Sequence, residues 1–357
     1  MIRSAHGGTG WLEGIGTDLS ASVNARPLPE EIIGAARDAA LNMGRYPDPE
    51  YRRLREAIGE LEDADPSSIV CGNGASELFT AAVNAYSPRA VGLFDPCYSG
   101  YETACRCVET RRHPLSEIGG FAVDGSAVDF AKSADIDMLF LPDPNNPTGR
   151  LIPPEIKAGI IEACLERGIT VVLDECFYDL TAAGAVGSSG GRPEGCESVR
   201  PAEGVLRVKA FTKTFSVPGA RIGYLIAGSA EEAERVRLAL PEWNLSVFSE
   251  AVGIACAKIQ RGTSWVADSL AANESEKAKL VRAFTEAGAK VYPSDANYIL
   301  IRLPEGLSGL HARLAAKGIL LRSCANFRGL GPEYVRVSVG CPADNEKLIS
   351  ALREETL

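Results

Sequence analysis

Four short stretches of the chain carry residues whose types and spacing could do chemistry. The most specific is FTKTFSVPGARIGYL, residues 211–225, in which Lys213 sits between Phe211 and Phe215 and is followed by Pro218-Gly219 and then Arg221. A lysine held among aromatic rings loses hydration. That disfavours the ammonium form, lowers the pKa and makes the amine a better nucleophile. A surface lysine beside a turn would use the same residues, since lysine readily extends its charged end to water, so the rest of the chain must decide.

The second stretch, IVCGNGASELFTAAV (69–83), ends an apolar run in a Gly-Asn-Gly turn and opens a helix at Ala75-Ser76. Glycines admit close approach of backbone amides and a helix N-terminus favours an anion, so this is a candidate phosphate cradle, although a plain tight turn is built the same way. Its spacing fits neither the dinucleotide fingerprint nor a P-loop. The third, DPNNPTG (143–149), offers the amide of Asn146 at a strand end. The fourth, VVLDECFYDL (171–180), puts Asp174 after three apolar residues. A carboxylate there needs a salt bridge to an arginine or a strong donor such as a protonated heterocyclic nitrogen. A nucleophilic amine, a carboxylate, a phosphate cradle and the further cation Arg221 together match pyridoxal 5'-phosphate, which has an aldehyde, a pyridine nitrogen and a phosphate.

The elements that must position these groups are legible as a pattern. AVGLFDP, IDMLFLPDP, ITVVLDEC and GVLRVKAF are apolar runs without alternation, separated by helical stretches such as PPEIKAGIIEACLERG. Such runs are strands buried on both faces, which predicts an α/β fold with a mostly parallel central sheet. Functional groups of such a sheet gather at the carboxyl ends of its strands, where all four stretches fall. We expect a large cofactor-binding domain over 44–245 and a smaller α+β domain over 246–357. An N-terminal segment, 1–43, with a helix over PEEIIGAARDAALN, is expected to pack against the smaller one. The Gly/Ser-rich stretch 182–198 reads as a mobile surface loop.

Composition narrows the classes. The 357 residues carry a formal net charge of -10, which argues against nucleic acid as a partner. The N-terminus lacks a signal-like apolar core and no run is long enough for a membrane span, so a cytoplasmic protein is expected. Ten cysteines without a framework, the pair Cys105 and Cys107 spaced CxC, and only three histidines give no disulfide pattern and no zinc set. His113 and His311 suggest nothing beyond surface or structural roles.

With these residues together, the chain resembles fold-type I pyridoxal-phosphate enzymes from end to end. It is most similar to the branch containing histidinol-phosphate aminotransferase and the threonine-phosphate decarboxylase of cobalamin biosynthesis. The motif T-K-x-F-x-x-P-G-x-R-x-G-Y implies that Lys213 binds the cofactor aldehyde covalently. It also implies that Thr212, Arg221, Ala75 and Ser76 hold the cofactor phosphate. The resemblance further implies Asp174 on the pyridine nitrogen, Asn146 on the ring hydroxyl and Tyr98 of DPCYSGYE stacked on the ring. Tyr46 of RYPDPEY would reach the neighbouring subunit's phosphate, hence a homodimer with shared sites. Arg336 of YVRVSVG would grip the substrate carboxylate.

Three features resemble the decarboxylase in particular: SAHGG near the N-terminus with His6, LLRSCANFRGLGPEYVRV with Arg322 and Asn326, and Phe177 where aminotransferases of this fold usually place a tyrosine. Tyr178 is not expected to replace that phenol, because neighbouring strand residues point to opposite faces. His6, Arg322 and Arg336 then become the expected substrate contacts. Decarboxylation of a doubly anionic amino acid is the expected reaction, with transamination of histidinol phosphate or an aromatic amino acid as the alternative. Departures from the family pattern are Ala210 and Lys209 before the lysine, and Ser22 and Ala25 in LSASVNARP (19–27).

Overall fold

The β-branched and aliphatic runs form strands as expected. In this computed structural model, which describes residues 7–185 and 202–356, a short strand β1 (Thr17–Asp18) precedes seven that build one sheet. These are β2 (Ile69–Gly72), β3 (Ala90–Asp95), β4 (Glu109–Pro114), β5 (Met138–Pro142), β6 (Thr170–Asp174), β7 (Val205–Ala210) and β8 (Gly223–Ile226). Their spatial order is β2-β8-β7-β6-β5-β3-β4. Every pairing is parallel except those of β8, which runs antiparallel to β2 and to β7. Strands β3, β5, β6 and β7 are covered on both faces, and all but the last residue of β6 is fully buried. Each large apolar side chain so enclosed contributes about 1.5–3 kcal/mol.

Strand β4 has no counterpart among the apolar runs, since YETACRCVE after AVGLFDP has helical composition and no apolar run follows it. The helix stops at Ala104 and ETRRHP forms the edge strand instead. Its polar composition hides it, because an edge strand facing solvent needs no apolar run.

The chain leaves β3 outward to β4, then returns to β5 and proceeds to β6 and β7 in the opposite direction. The reversal lies between the carboxyl ends of β3 and β5, where an open α/β sheet has its natural crevice. Charges on the buried strand β7 are compensated on one face of the sheet. Arg207 meets Glu175 at 2.7 Å, and Lys209 meets Glu62 at 2.6 Å and Asp179 at 2.8 Å. The departure at Lys209 therefore faces a carboxylate network, while its neighbour Ala210 faces the cavity described below.

A second sheet of order β12-β13-β10-β9 comprises β9 (Lys290–Val291), β10 (Tyr298–Arg302), β12 (Arg322–Ser323) and β13 (Tyr334–Ser338). Strand β11 (Ile319–Leu320) pairs in parallel with β1, which fastens the N-terminal segment to this region. The helix Glu30–Ala40 lies on the helix Val247–Gly262, and Ile32 shares a buried cluster with Leu54, Phe211, Phe215 and Val252. His6 lies outside the described residues, as does 186–198 of the Gly/Ser-rich stretch.

Candidate active site

A cavity of about 210 Å³ opens where the crevice of the large sheet meets the second sheet. Lys213 enters it from the short helix Phe211–Thr214 that directly follows β7. Phe211 and Phe215 turn away from the cavity and anchor that helix, Phe211 edge-on to Phe215 and Phe215 stacked on Trp265. The Lys213 ammonium lies 5.7 Å from the centre of the Phe177 ring. Burial, then the nearby charges of Arg336 and Arg221, push its pKa down to about 8. The question raised by a lysine among aromatics is thereby answered: this one is desolvated.

Asp174 ends β6 and faces the same cavity. Its Oδ2 accepts a hydrogen bond of 2.5 Å from the Tyr101 hydroxyl, and its Oδ1 one of 3.0 Å from the Cys176 amide. Burial pushes this carboxyl up from the usual range, and those hydrogen bonds pull against the rise. Asp174 has no salt bridge among the described residues; its neighbour Glu175, on the opposite face, is the residue paired with Arg207.

The phosphate-cradle reading can be tested on the backbone itself. Gly74 caps the helix Ala75–Tyr86 with φ of 77°, and no side chain caps the first turn. A Cβ at Gly74 would fall 2.5 Å from an Arg221 guanidinium nitrogen, and one at Gly223 would fall 2.9 Å from the Ala75 amide nitrogen. Only glycine lets the Arg221 guanidinium and the helix amides converge this closely. Arg221 itself sits at φ of 51°, and its guanidinium donates to the carbonyls of Asn73 and Pro218. Thr212 is buried beside them and lines the cavity, as do Ala75 and Ser76. The donor set, the uncapped helix and the fixed cation fit a phosphate ester.

On the opposite wall, Asn146 accepts at 2.6 Å from Arg336, whose other terminal nitrogen donates at 2.8 Å to the Ser20 carbonyl. The Arg336 Nε is buried without a partner. Arg336 and Arg322 stand directly opposite one another on the antiparallel strands β13 and β12. Arg322 is held by the Asn326 side chain at 2.8 Å and lies over the Phe327 ring. Burial lowers the pKa of both guanidiniums, and for Arg322 the charge of Arg336 adds to the effect.

Lys213, Asp174, Ala75, Ser76, Tyr98, Asn146, Thr212, Arg221, Arg322 and Arg336 thus line one cavity. Tyr46 does not. It is 76% exposed and its ring rests 4.7 Å from that of Trp243. Phe177 lines the cavity and packs edge-on against Tyr298. Tyr178 does point elsewhere, toward Lys157, but for a different reason from the one expected. The strand ends at Asp174, and Tyr178 begins a single helical turn.

Sequence reasoning missed Tyr101 and Cys176. It also missed how residues 20–24 form one wall: Gly7, Ser20, Ala21 and Ser22 line the cavity, and Asn24 binds the Lys213 and Thr214 carbonyls through its main-chain and side-chain nitrogens. Tyr101 was findable, since it stands one helical turn after Tyr98. Among the described residues no cluster of His, Cys, Asp and Glu could hold a metal, and no helix is long and apolar enough to cross a membrane.

Residues 15–352 match the model of the family Aminotransferase class I and II. The chain belongs to that family: it is an enzyme of the fold-type I class and its cofactor is pyridoxal 5'-phosphate. Within that class it is 29% identical to the threonine-phosphate decarboxylase of Salmonella typhimurium, over 99% of this chain and 97% of that protein. It is 30% identical to a histidinol-phosphate aminotransferase of Desulfitobacterium hafniense, over 94% of this chain and 91% of that one. The crystal structure of the histidinol-phosphate aminotransferase from Clostridium acetobutylicum superposes with a TM-score of 0.84 at 27% identity, covering 95% of this chain and 99% of that one. The L-threonine-O-3-phosphate decarboxylase from Porphyromonas gingivalis, 24% identical over 94% of this chain and 98% of its own, shares the fold with a TM-score of 0.75.

Proposed function

We propose that the chain is a pyridoxal-phosphate-dependent α-decarboxylase of a doubly anionic amino acid, such as an O-phosphorylated one. The observation that carries this reading is the Arg322–Arg336 pair. Two guanidiniums directly opposite on one sheet face repel each other, and burial raises the cost. A ligand with two anionic groups removes both penalties, and the unpartnered Nε of Arg336 leaves a donor for one of them. The near full-length likeness to a threonine-phosphate decarboxylase supports the same choice.

In this reading Lys213 holds the cofactor aldehyde. Asp174 keeps the ring nitrogen protonated, Tyr98 covers the ring, and the Asn146 amide nitrogen meets the ring hydroxyl while its oxygen stays with Arg336. Ala75, Ser76, Thr212 and Arg221 hold the phosphate. Tyr46, remote from its own cavity, would complete the phosphate site of a second copy in a homodimer. When bound, the cofactor supplies a conjugated ring that accepts the electron pair left when a bond to the α-carbon breaks.

Arg322 and Arg336 would orient the substrate, and that orientation would decide which bond to the α-carbon breaks. If that bond leads to the carboxylate, carbon dioxide would depart and Lys213 Nζ, which lines the cavity, would supply the proton that replaces it. If the bond leads to the α-hydrogen, the same amine in its neutral form takes that proton and transamination follows. His6 and the segment around Ser22 would add substrate contacts.

The test is a product assay on cofactor-loaded protein with O-phospho-L-threonine and O-phospho-L-serine, with and without 2-oxoglutarate. Carbon dioxide and the phosphorylated amino alcohol without a keto acid are expected. Turnover that requires 2-oxoglutarate and yields glutamate would replace this reading with the aminotransferase one.

A further inference from the structure

Tyr101 performs a task that the reading above does not assign. Its hydroxyl donates to Asp174 Oδ2 at 2.5 Å, and its ring is fixed on three sides. It stacks on Phe140 with centroids 4.8 Å apart, and meets Phe79 and Tyr98 edge-on at 5.2 and 5.5 Å. A phenol held by three aromatic rings cannot swing to another acceptor without repacking that cluster. It is 1% exposed, so its hydroxyl needs a partner, and Asp174 is the one it has. Burial and the adjacent carboxylate push its pKa well above the usual value, so Tyr101 keeps its proton and acts only as donor. Three donors thus converge on the carboxylate, the Tyr101 hydroxyl and the thiol and amide of Cys176, and each favours the charged form.

We infer that Tyr101 is a positioning residue, holding Asp174 ionised and in one orientation so that it can bind the cofactor's protonated ring nitrogen. This rests on the assignment of Asp174 to that nitrogen. Tyr98 is the N-cap of the short helix that carries Tyr101, and the two rings are in edge contact, so the ring expected over the cofactor and the donor to its counter-ion are mechanically joined.

The experiment compares equilibrium binding of pyridoxal 5'-phosphate and of its 1-deaza analogue, in which carbon replaces the ring nitrogen. The proteins are cofactor-free parent, Tyr101→Phe and Asp174→Asn. Phenylalanine keeps the ring packing and removes only the hydroxyl. Tyr101→Phe is expected to weaken binding of pyridoxal 5'-phosphate about tenfold, the lower range for a lost hydrogen bond to a charged group, and to leave the analogue within about twofold. Retained analogue binding also shows that the variant is folded. Equal loss for both ligands would make Tyr101 a packing residue, and no loss for either would remove the hydroxyl from the account; each overturns the inference. If Asp174→Asn fails to discriminate the two ligands, the assignment of Asp174 falls and the inference falls with it. Discrimination by Asp174→Asn but not by Tyr101→Phe overturns the Tyr101 role alone.

Discussion

Replacing Lys213 by methionine is expected to stabilise the cofactor-free protein, because the native amine is held where its charge is disfavoured. The folded pKa is about 8 against an ordinary lysine value of 10.5. The unfolded chain therefore binds the proton more tightly, and the penalty on the folded state is fully present below about pH 8. It is relieved as pH rises from about 8 to about 10.5, since stability rises with pH wherever the unfolded state holds more protons. At about 1.4 kcal/mol per unit the separation corresponds to about 3 kcal/mol at pH 7, and to about 1.4 kcal/mol at pH 9.5. The contact with the Phe177 ring offsets about 0.5–1 kcal/mol of that. Methionine is unbranched and of similar length, so it keeps the stem contacts. Urea titrations of the apo-protein should place the variant about 2–3 kcal/mol above the parent at pH 7, with the gap down to about 1.4 kcal/mol at pH 9.5 and closing above about pH 10.5. A variant no more stable than the parent at pH 7, or a gap that ignores pH, would refute the claim that this cavity strips the amine of its charge preference.

The remaining expectations concern ligands. Arg322→Lys should raise KM for a doubly anionic substrate by about tenfold or more through loss of the fixed guanidinium fork, yet leave KM for an analogue lacking the second anion within about twofold; equal effects on both would remove Arg322 from substrate recognition. Gly74→Ala puts a Cβ at φ of 77° and against Arg221, so cofactor affinity should fall at least tenfold, by equilibrium dialysis, while distant stability changes by about 1–2 kcal/mol. Mixing inactive Lys213→Ala with a Tyr46→Ala variant should restore activity toward about a quarter of the parent value if sites are shared across a two-fold dimer, and restore none if each chain works alone.

The chemistry was more legible than the scaffold around it. Lys213, Asp174 and Arg221 stand out because a desolvated amine, a carboxylate on an apolar strand and a cation after Pro-Gly are each costly without a partner, and these three line one cavity together with Asn146. Strand β4 was illegible because ETRRHP has the composition of a loop, and only its pairing with β3 makes it a strand. The spacing of Tyr101 from Tyr98 marked it as a neighbour of the site, but its role was not legible, since its partner is Asp174, 73 residues onward. The segment 19–27 was singled out through Ser22 and Ala25, but how it is held was not legible, because its contacts to Lys213 and Arg336 run through main-chain groups that any sequence possesses. Tyr178 shows the opposite failing: its direction was foreseen, yet from an alternation that stops with the strand at Asp174.

That same wall separates two kinds of evolutionary freedom. The groups expected to hold the cofactor come from the large sheet and the loops that leave it, whereas Ser20, Ala21 and Ser22 come from a strip of chain that lies between the β1–β11 pairing and the second sheet, which it meets through the contact of Ser22 with Ser338. Side-chain changes at Ala21 and Ser22 are expected to reshape what enters the cavity while leaving the main-chain contacts of the strip to Lys213 and Arg336 in place. A lineage can therefore change diet while keeping its chemistry, and Ser22 and Ala25, the positions where this chain leaves the decarboxylase pattern, lie within or beside that strip.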